Sequence, residues 1–298
     1  MQELIECVPN FSEGRRLSVI NKIADSSKKV KGVKVLDVEW DRSHNRSLVT
    51  IVGTPEDILK AAFEMVKTAT KLIDMRKHKG EHPRIGATDV IPFIPVSGTT
   101  INECVVLSNK LARKVADELK IPVYMYEASA KKKNRINLAD IRKGEYEGLR
   151  KEIETNPERK PDYGPSQMHP TAGATVIGAR KYLVAYNVNL ETKDVEIAKK
   201  IAGKIREKDG GLPGVKALGF KVGGFAQVSI NLVDFEKTNF DEAYRAIEKE
   251  AKKLNVKIKN SEIYGMIPLE AVTRAAKNSF KIEGLKSDQI LEKRLYGN

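Results

Sequence analysis

Residues 46–72 read RSLVTIVGTPEDILKAAFEMVKTATKL, and a change of period inside this stretch decides the fold class. Up to Gly53 it is a β-branched run of strand character. Thr54, Pro55 and Asp57 then mark a helix start: an N-cap hydroxyl, a proline at the first helical position and an acid three residues after the cap. Ile58, Ala62, Met65, Ala69 and Leu72 carry an apolar stripe through the helix that follows. A strand feeding an amphipathic helix in this way belongs to a mixed α/β class.

The same alternation extends outward. Leu4 to Val8 reads as a strand, and a polar turn with Asn10, Ser12 and Gly14 leads to a helix ending near Ser27. Val33 to Trp40 is a strand joined by a polar loop to the one quoted, and Asp89 to Val96 closes the set. The order β-α-β-β-α-β repeats from residue 180: Tyr182 to Leu190, a helix over Asp194 to Arg206, two strands about Gly223-Gly224, a helix capped by Asn239 with Glu242, and Val256 to Tyr264. The expected fold is therefore α/β (α+β), built from two ferredoxin-like β-α-β-β-α-β halves, residues 1–179 and 180–298. Between them Thr100 and Glu103 form a capping box that opens a helix to Leu119, and Val123 to Tyr126 is a further strand. The stretch from Ser129 to Ala179, rich in Pro and Gly, is either a plain inter-domain linker or a binding loop, and Tyr163, Gln167, Met168 and His169 favour the binding loop as its recognition chemistry.

At 298 residues the chain is long enough for two cores, and 41% hydrophobic with 31% charged residues is a globular rather than a disordered profile. The formal net charge of +13 asks for an anionic partner. The longest apolar run, Val90 to Val96, is far short of a membrane span and contains two prolines. MQELIECVPN is no secretory signal, so no membrane partner and a cytoplasmic location are expected. Cys7 and Cys104 form neither a CxxC pair nor a disulfide framework and are expected to be reduced core residues.

Among the four histidines, His78 and His82 have the spacing of two metal ligands on a helix, but Gly80 and Pro83 oppose a helix there and no HExxH pattern is present, so no metal is expected. His82 lies in Gly80-Glu81-His82-Pro83-Arg84-Ile85-Gly86, where Pro83 forces an extended backbone on the histidine. This is either a loop that aims a catalytic side chain or a structural turn. At the hairpin after Val33–Trp40, alternation places Asp37 and Glu39 on one face, opposite Leu36 and Val38, with Arg42 and Arg46 following. That face is either solvated or a cation-binding edge backed by arginines for an anion.

Several longer motifs then coincide: Glu6-Cys7-Val8-Pro9-Asn10-Phe11-Ser12-Glu13-Gly14, Asn45-Arg46, Gly80 to Gly86 with Asp89 and Pro92-Phe93-Ile94-Pro95-Val96, Gly173-Ala174-Thr175 with Gly178-Ala179-Arg180-Lys181, and Gln227-Val228-Ser229 with Asn231-Leu232 and Asp234-Phe235. Together, over essentially the whole chain, they resemble the glutamate formiminotransferase family. The resemblance implies two similar halves flanking a substrate groove, a homodimer, and a place in histidine degradation and one-carbon metabolism. It implies transfer of the formimino group of N-formimino-L-glutamate to N5 of tetrahydrofolate, with tetrahydrofolate as co-substrate. It aligns His82 with the family's catalytic histidine. Tyr163, Gly164, Pro165, Ser166, Gln167, Met168, His169, Pro170, Thr171 and Ala172 align with its folate-contacting segment, and Glu39 stands where animal members have an aspartate near the active site.

On that resemblance Asp37 or Glu39 would hold the cationic amidine, and Arg42, Arg46 and Arg84 are candidates for the glutamate carboxylates by bidentate pairing. The sequence ends at Asn298 without the cyclodeaminase domain of animal members, so that activity is expected to be absent or supplied by a separate cyclodeaminase as partner. Met168-His169-Pro170-Thr171-Ala172 is less aromatic than the animal segment, which leaves a formylglutamate donor or a modified pterin as alternatives. An RNA-binding protein of ferredoxin-like halves is a more distant alternative, since no aromatic RNP signature is present and no nucleic-acid partner is expected. The charge surplus then reads as attraction for polyglutamated folate along Lys131 to Lys133 and Arg180-Lys181.

Overall fold

The Thr54 hydroxyl accepts from the Asp57 N–H at 3.4 Å, and the helix it opens, Pro55–Leu72, buries Ile58, Ala62, Met65 and Ala69 on one face. That helix is α2 of a computed structural model describing residues 3–286 and 289–296, in which the chain divides into two units after Arg180. In the first unit β1 (Leu4–Cys7), β2 (Asn10–Phe11) and α1 (Leu17–Ser27) precede β3 (Lys34–Asp41), β4 (Arg46–Gly53), α2 and β5 (Thr88–Ser97). Then come α3 (Ile101–Leu119), β6 (Val123–Glu127), α4 (Leu138–Ile141), α5 (Glu145–Glu152) and β7 (Thr175–Ala179).

β1 and β2 form one interrupted strand between β4 and β5 and are antiparallel to both, with β3 on the outer side of β4. β7 runs parallel to β5 and carries β6, parallel, on its far side. Helices α1, α2 and α3 cover one face through Ile5, Cys7, Ile51, Met65, Phe93 and Leu111, all fully buried. On the other face α4 and α5 cover only the β5, β7 and β6 end, where Val90, Val176 and Tyr124 meet Ile141 and Leu149. The rest of that face belongs to β4, β1, β2 and β3.

The stretch from Ser129 to Ala179 departs from the expected loop. It contains α4, α5 and a buried strand inserted into the sheet, because Thr175 to Ala179 is a short apolar run with no alternation to announce it. Cys7 and Cys104 are buried free thiols.

The second unit holds β8 (Val184–Leu190), α6 (Val195–Ile205), β9 (Val215–Val222), β10 (Phe225–Leu232), α7 (Phe240–Lys253), β11 (Ile258–Tyr264), α8 (Leu269–Phe280) and α9 (Leu291–Tyr296). Its four strands are antiparallel in the order β11-β8-β10-β9, and Val188, Val228, Ile201 and Ile247 lie in its core. One half of the Asn239 capping box forms: the Glu242 carboxylate accepts from the Asn239 N–H at 2.8 Å, while the Asn239 side-chain amide donates to the Ala271 carbonyl. Helices α8 and α9 lie beyond the repeated β-α-β-β-α-β order, and α8 buries only Ala271 and Ala275, too narrow a stripe to register as a period. The mixed α/β class is the one observed. Among the described residues no helix is long and apolar enough to cross a membrane.

Gly86 locks the 80–86 loop to the insertion. A Cβ there would stand 1.8 Å from the Ala174 carbonyl oxygen and 2.7 Å from that of Ala172, both backbone atoms. Gly86→Ala is expected to cost about 1–3 kcal/mol through forced separation of the two segments, read as a lower denaturation midpoint.

Candidate active site

The site begins at the turn into β4. Asn45 takes a left-handed backbone (φ 50°), a conformation that Asn tolerates better than most residues. Its side chain accepts from the Gly14 N–H at 2.9 Å and donates to the Lys79 carbonyl at 3.0 Å, so one residue ties three loops together. Its own carbonyl accepts from His78 Nε2 at 2.9 Å, and His78 Nδ1 accepts from Arg84 Nε at 3.2 Å. Burial therefore lowers the pKa of His78, which is a structural histidine rather than an exposed one.

Arg84 is drawn into the same brace. Nη1 donates to Glu145 at 2.6 Å and Glu147 at 2.8 Å, and Nη2 to Glu147 at 2.7 Å and the His78 carbonyl at 3.4 Å. With Nε on His78, all five guanidinium donors are claimed. A substrate carboxylate would reach Arg84 only by displacing Glu145, Glu147 or His78.

His82 stands on the other side of Pro83, half-buried. Its Nδ1 lies 2.8 Å from Arg46 Nη1 and 2.7 Å from the Pro83 carbonyl oxygen, while Nε2 has no hydrogen-bond partner among the described residues. Arg46, the first residue of β4, also donates from Nη1 to Asp89 Oδ2 at 3.0 Å and from Nη2 to Asn10 Oδ1. Asp89 Oδ2 takes a second guanidinium, Arg142, while its Oδ1 accepts from the Ile85 N–H at 3.0 Å. The Asp89 side chain is 1% exposed, and those of Arg46 and Arg142 are 14% and 12% exposed.

Two guanidiniums thus share one carboxylate, and these three side chains together carry one net positive charge. Burial pushes the Asp89 carboxyl up, but Arg142 and Arg46 outweigh it and hold it below the ordinary value. Burial first, and then Arg46 and Arg142, push His82 down to about 3. At neutral pH its ring is uncharged.

The strand register brings the carboxylates to this face. Asp37 pairs with Thr50 and Glu39 with Leu48, while Asn10 pairs with Leu48 from the other side. Alternation places Arg46, Leu48 and Thr50 together, so Asp37, Glu39, Asn10 and Arg46 look the same way. Glu6, opposite Val52, joins them; burial raises its pKa against the opposing Arg180. A bulge between Val35 and Asp37 leaves Leu36 47% exposed instead of facing the core. Arg42 lies exposed in the hairpin, its carbonyl accepting from Arg15 Nε at 2.9 Å, and among the described residues no hydrogen bond or ion pair joins it to the His82 cluster.

The 163–172 segment is divided in its exposure. Tyr163, Met168 and Ala172 pack on the first core, and the Tyr163 hydroxyl donates to Asn109 Oδ1 at 2.7 Å. Lys131 Nζ sits 3.7 Å from the Tyr163 ring centre. His169 Nδ1 accepts from the N–H groups of Thr171 and Ala172, at 3.3 and 3.0 Å, which spends one ring nitrogen on the turn. Gly164, Pro165, Gln167 and Pro170 are exposed, with Ser166 half-buried, and these form the segment's accessible surface. Among the described residues no three His, Cys, Asp or Glu side chains are grouped to hold a metal ion.

Asn10 and Asp89 lie in the motifs quoted above without a site role attached to them, and Arg142 lies in none. Asp89 carried a signal, an acid at the mouth of the apolar run Val90 to Val96; Arg142, within the insertion, carried none.

Histidines whose burial disfavours the charged form destabilise the fold as they become protonated. The pKa values of His82, His78 and His169 are all lowered by burial, so below about 6.5 the unfolded chain binds more protons than the folded one. Stability is expected to be full above pH 6.5 and to fall as pH drops toward the folded values, at up to ~1.4 kcal/mol per pH unit for His82 inside its window. Urea midpoints across that range test this, and His82→Gln should flatten the slope.

The class of protein this arrangement suits is a proton-transferring enzyme: a mixed α/β scaffold that sets a neutral histidine beside two half-buried arginines sharing one carboxylate. The family follows from the comparisons. The formiminotransferase domain, N-terminal subdomain, matches residues 4–180, and the formiminotransferase domain matches residues 185–294. A glutamate formimidoyltransferase of Streptococcus pyogenes is 44% identical over the full length of both chains. One from Thermoplasma acidophilum is 46% identical over 98% of this chain and 97% of its own. The formimidoyltransferase-cyclodeaminase of Rattus norvegicus is 44% identical over 93% of this chain, which spans 52% of that longer relative. The chain belongs to the formiminotransferase family of transferases.

Proposed function

We propose that the protein transfers the formimino group of N-formimino-L-glutamate to N5 of tetrahydrofolate, giving 5-formiminotetrahydrofolate and glutamate. The reading rests on full-length likeness to glutamate formimidoyltransferases. The observation that carries its chemistry is the neutral His82 ring with Nε2 open beside Arg46.

The reaction forms a bond from N5 to the sp² formimino carbon and breaks the bond from that carbon to the glutamate nitrogen. A proton must leave N5 and another must reach the departing amine. His82 serves as the general acid/base that moves both in turn, a contribution of typically ~10²–10⁴ in rate. The protonated amidine is cationic, and Asp37, Glu39 and Glu6 face it from β3 and β1. Arg46 and Arg142, with one positive charge to spare, receive a glutamate carboxylate. Folate takes the exposed Gly164 to Gln167 and Pro170 surface, and γ-linked glutamates extend along Lys131 to Lys133, which accounts for part of the +13 charge.

The test is incubation of the protein with formiminoglutamate and tetrahydrofolate, following glutamate release. Parallel arms carry formylglutamate and a modified pterin. Turnover in the first arm above the others supports the reading. No turnover with any pterin, together with tight, salt-sensitive RNA binding, would overturn it.

A further inference from the structure

The surroundings of His82 contain a hydrogen-bonding conflict. Arg46 Nη1 and the Pro83 carbonyl oxygen both lie within hydrogen-bond distance of the same ring nitrogen, Nδ1. A guanidinium only donates and a carbonyl only accepts, and Nδ1 of a neutral ring is either bare or protonated. The two neighbours therefore demand different tautomers. Arg46 requires a bare Nδ1 and puts the proton on Nε2. Pro83 requires the proton on Nδ1 and leaves Nε2 with a free lone pair. Only the second tautomer can take a proton at Nε2, the nitrogen with no partner among the described residues.

We infer that Arg46 is a positioning residue that holds the resting His82 with a bare Nδ1, and that a substrate carboxylate draws Arg46 away, letting Nδ1–H turn to the Pro83 carbonyl and arming Nε2 as the base. The inference deepens the transferase reading and rests on it for the step that follows. The ring keeps one proton throughout, which relocates from Nε2 to Nδ1 through solvent, so no net charge or external reagent is needed.

The geometry lets Arg46 move without unravelling the cluster. Asp89 would keep Arg142 and the Ile85 N–H if Arg46 Nη1 turned to a new carboxylate. The Arg46 side chain is 14% exposed and so within reach of a ligand. The groups facing the ring are Arg46 of β4, Asp89 of β5, Arg142 beyond α4, and His44 of the hairpin, whose ring lies 6.1 Å away edge-on. Among these the positive charge exceeds the negative at neutral pH. An incoming carboxylate removes the donor on Nδ1 and offsets the positive charge that, after burial, disfavours protonation of the ring.

The experiment is nitrogen NMR on the full chain with ¹⁵N-labelled histidine at pH 7, His82 being assigned by its absence in His82→Gln. The expected spectrum of the free protein has Nδ1 bare and Nε2 protonated. Saturation with glutamate or glutarate should reverse the two, and Arg46→Met should show the reversed state with no ligand. In Arg46→Met the ring's protonation midpoint should rise by about 1–3 units. Arg46→Lys, which restores a donor, should return the ring toward the resting tautomer. An unchanged tautomer in Arg46→Met, or no reversal with either dicarboxylate at any concentration, would overturn the inference. The readout is independent of turnover: a switching ring in a protein that releases no glutamate from formiminoglutamate would sink the transferase reading alone.

Discussion

His82→Ala is expected to lower kcat for formimino transfer by ~10²–10⁴ while the tetrahydrofolate dissociation constant stays within a few-fold. The split follows from where the ring sits. Among the described residues, the hydrogen-bond partners within reach of His82 are Arg46 and the Pro83 carbonyl, and neither belongs to the 163–172 segment. Removing it deletes the proton carrier and leaves the folate surface intact. Single-turnover kinetics with a separate binding titration check the result. Undiminished turnover would remove His82 from the chemistry, and a matching loss in folate affinity would make it a structural support. Arg84→Ala is the contrasting variant, since its guanidinium is fully occupied by Glu145, Glu147 and His78 and its loss acts on the loop brace.

The strands and helices announced by periodicity are those whose two faces differ. Pro55–Leu72 and the Asn239-capped helix carry both cap and stripe, and both form. The strand Thr175–Ala179 is buried on every residue, so it lacks the alternation that would separate it from the surrounding loop. The site divides along the same line. His82, with a proline after it and glycines around it, advertises a constrained loop. Its partners carry no sign that they meet: Asn10, Arg46 and Asp89 stand in separate motifs and Arg142 in none, and the four come together only once the sheet is assembled. Arg84 is the opposite case: it lies in the motif, yet its charge is spent on carboxylates 61 and 63 residues away.

Asp89→Leu is expected to cost about 3–5 kcal/mol of stability, the largest loss of any single substitution in this site. The carboxylate has a side chain 1% exposed and stands between Arg46 and Arg142. Leucine fills a similar volume but leaves two buried guanidiniums facing each other with nothing between them. Burial already lowers the Arg46 pKa to about 10, with Asp89 the charge that most opposes this, and Arg142 has a buried Nε with no partner. The Ile85 N–H loses its acceptor as well, and with it the anchor of the strand that follows the His82 loop. The sign with pH is fixed by the direction of the shift. The folded pKa of Asp89 lies below that of the unfolded chain, so its stabilisation is present above about pH 4 and is lost as pH falls through the folded value. The gap between wild type and Asp89→Leu, measured by urea denaturation, should therefore be widest near neutrality and close in strong acid. Adding Arg46→Met and Arg142→Met to Asp89→Leu should recover part of the loss, because a buried ion cluster replaced whole is far less costly than one broken by removal of a single partner. A cost below about 1 kcal/mol for Asp89→Leu alone would mean that both guanidiniums reach water. The net positive charge of this cluster would then be solvated, with no preference for a substrate carboxylate.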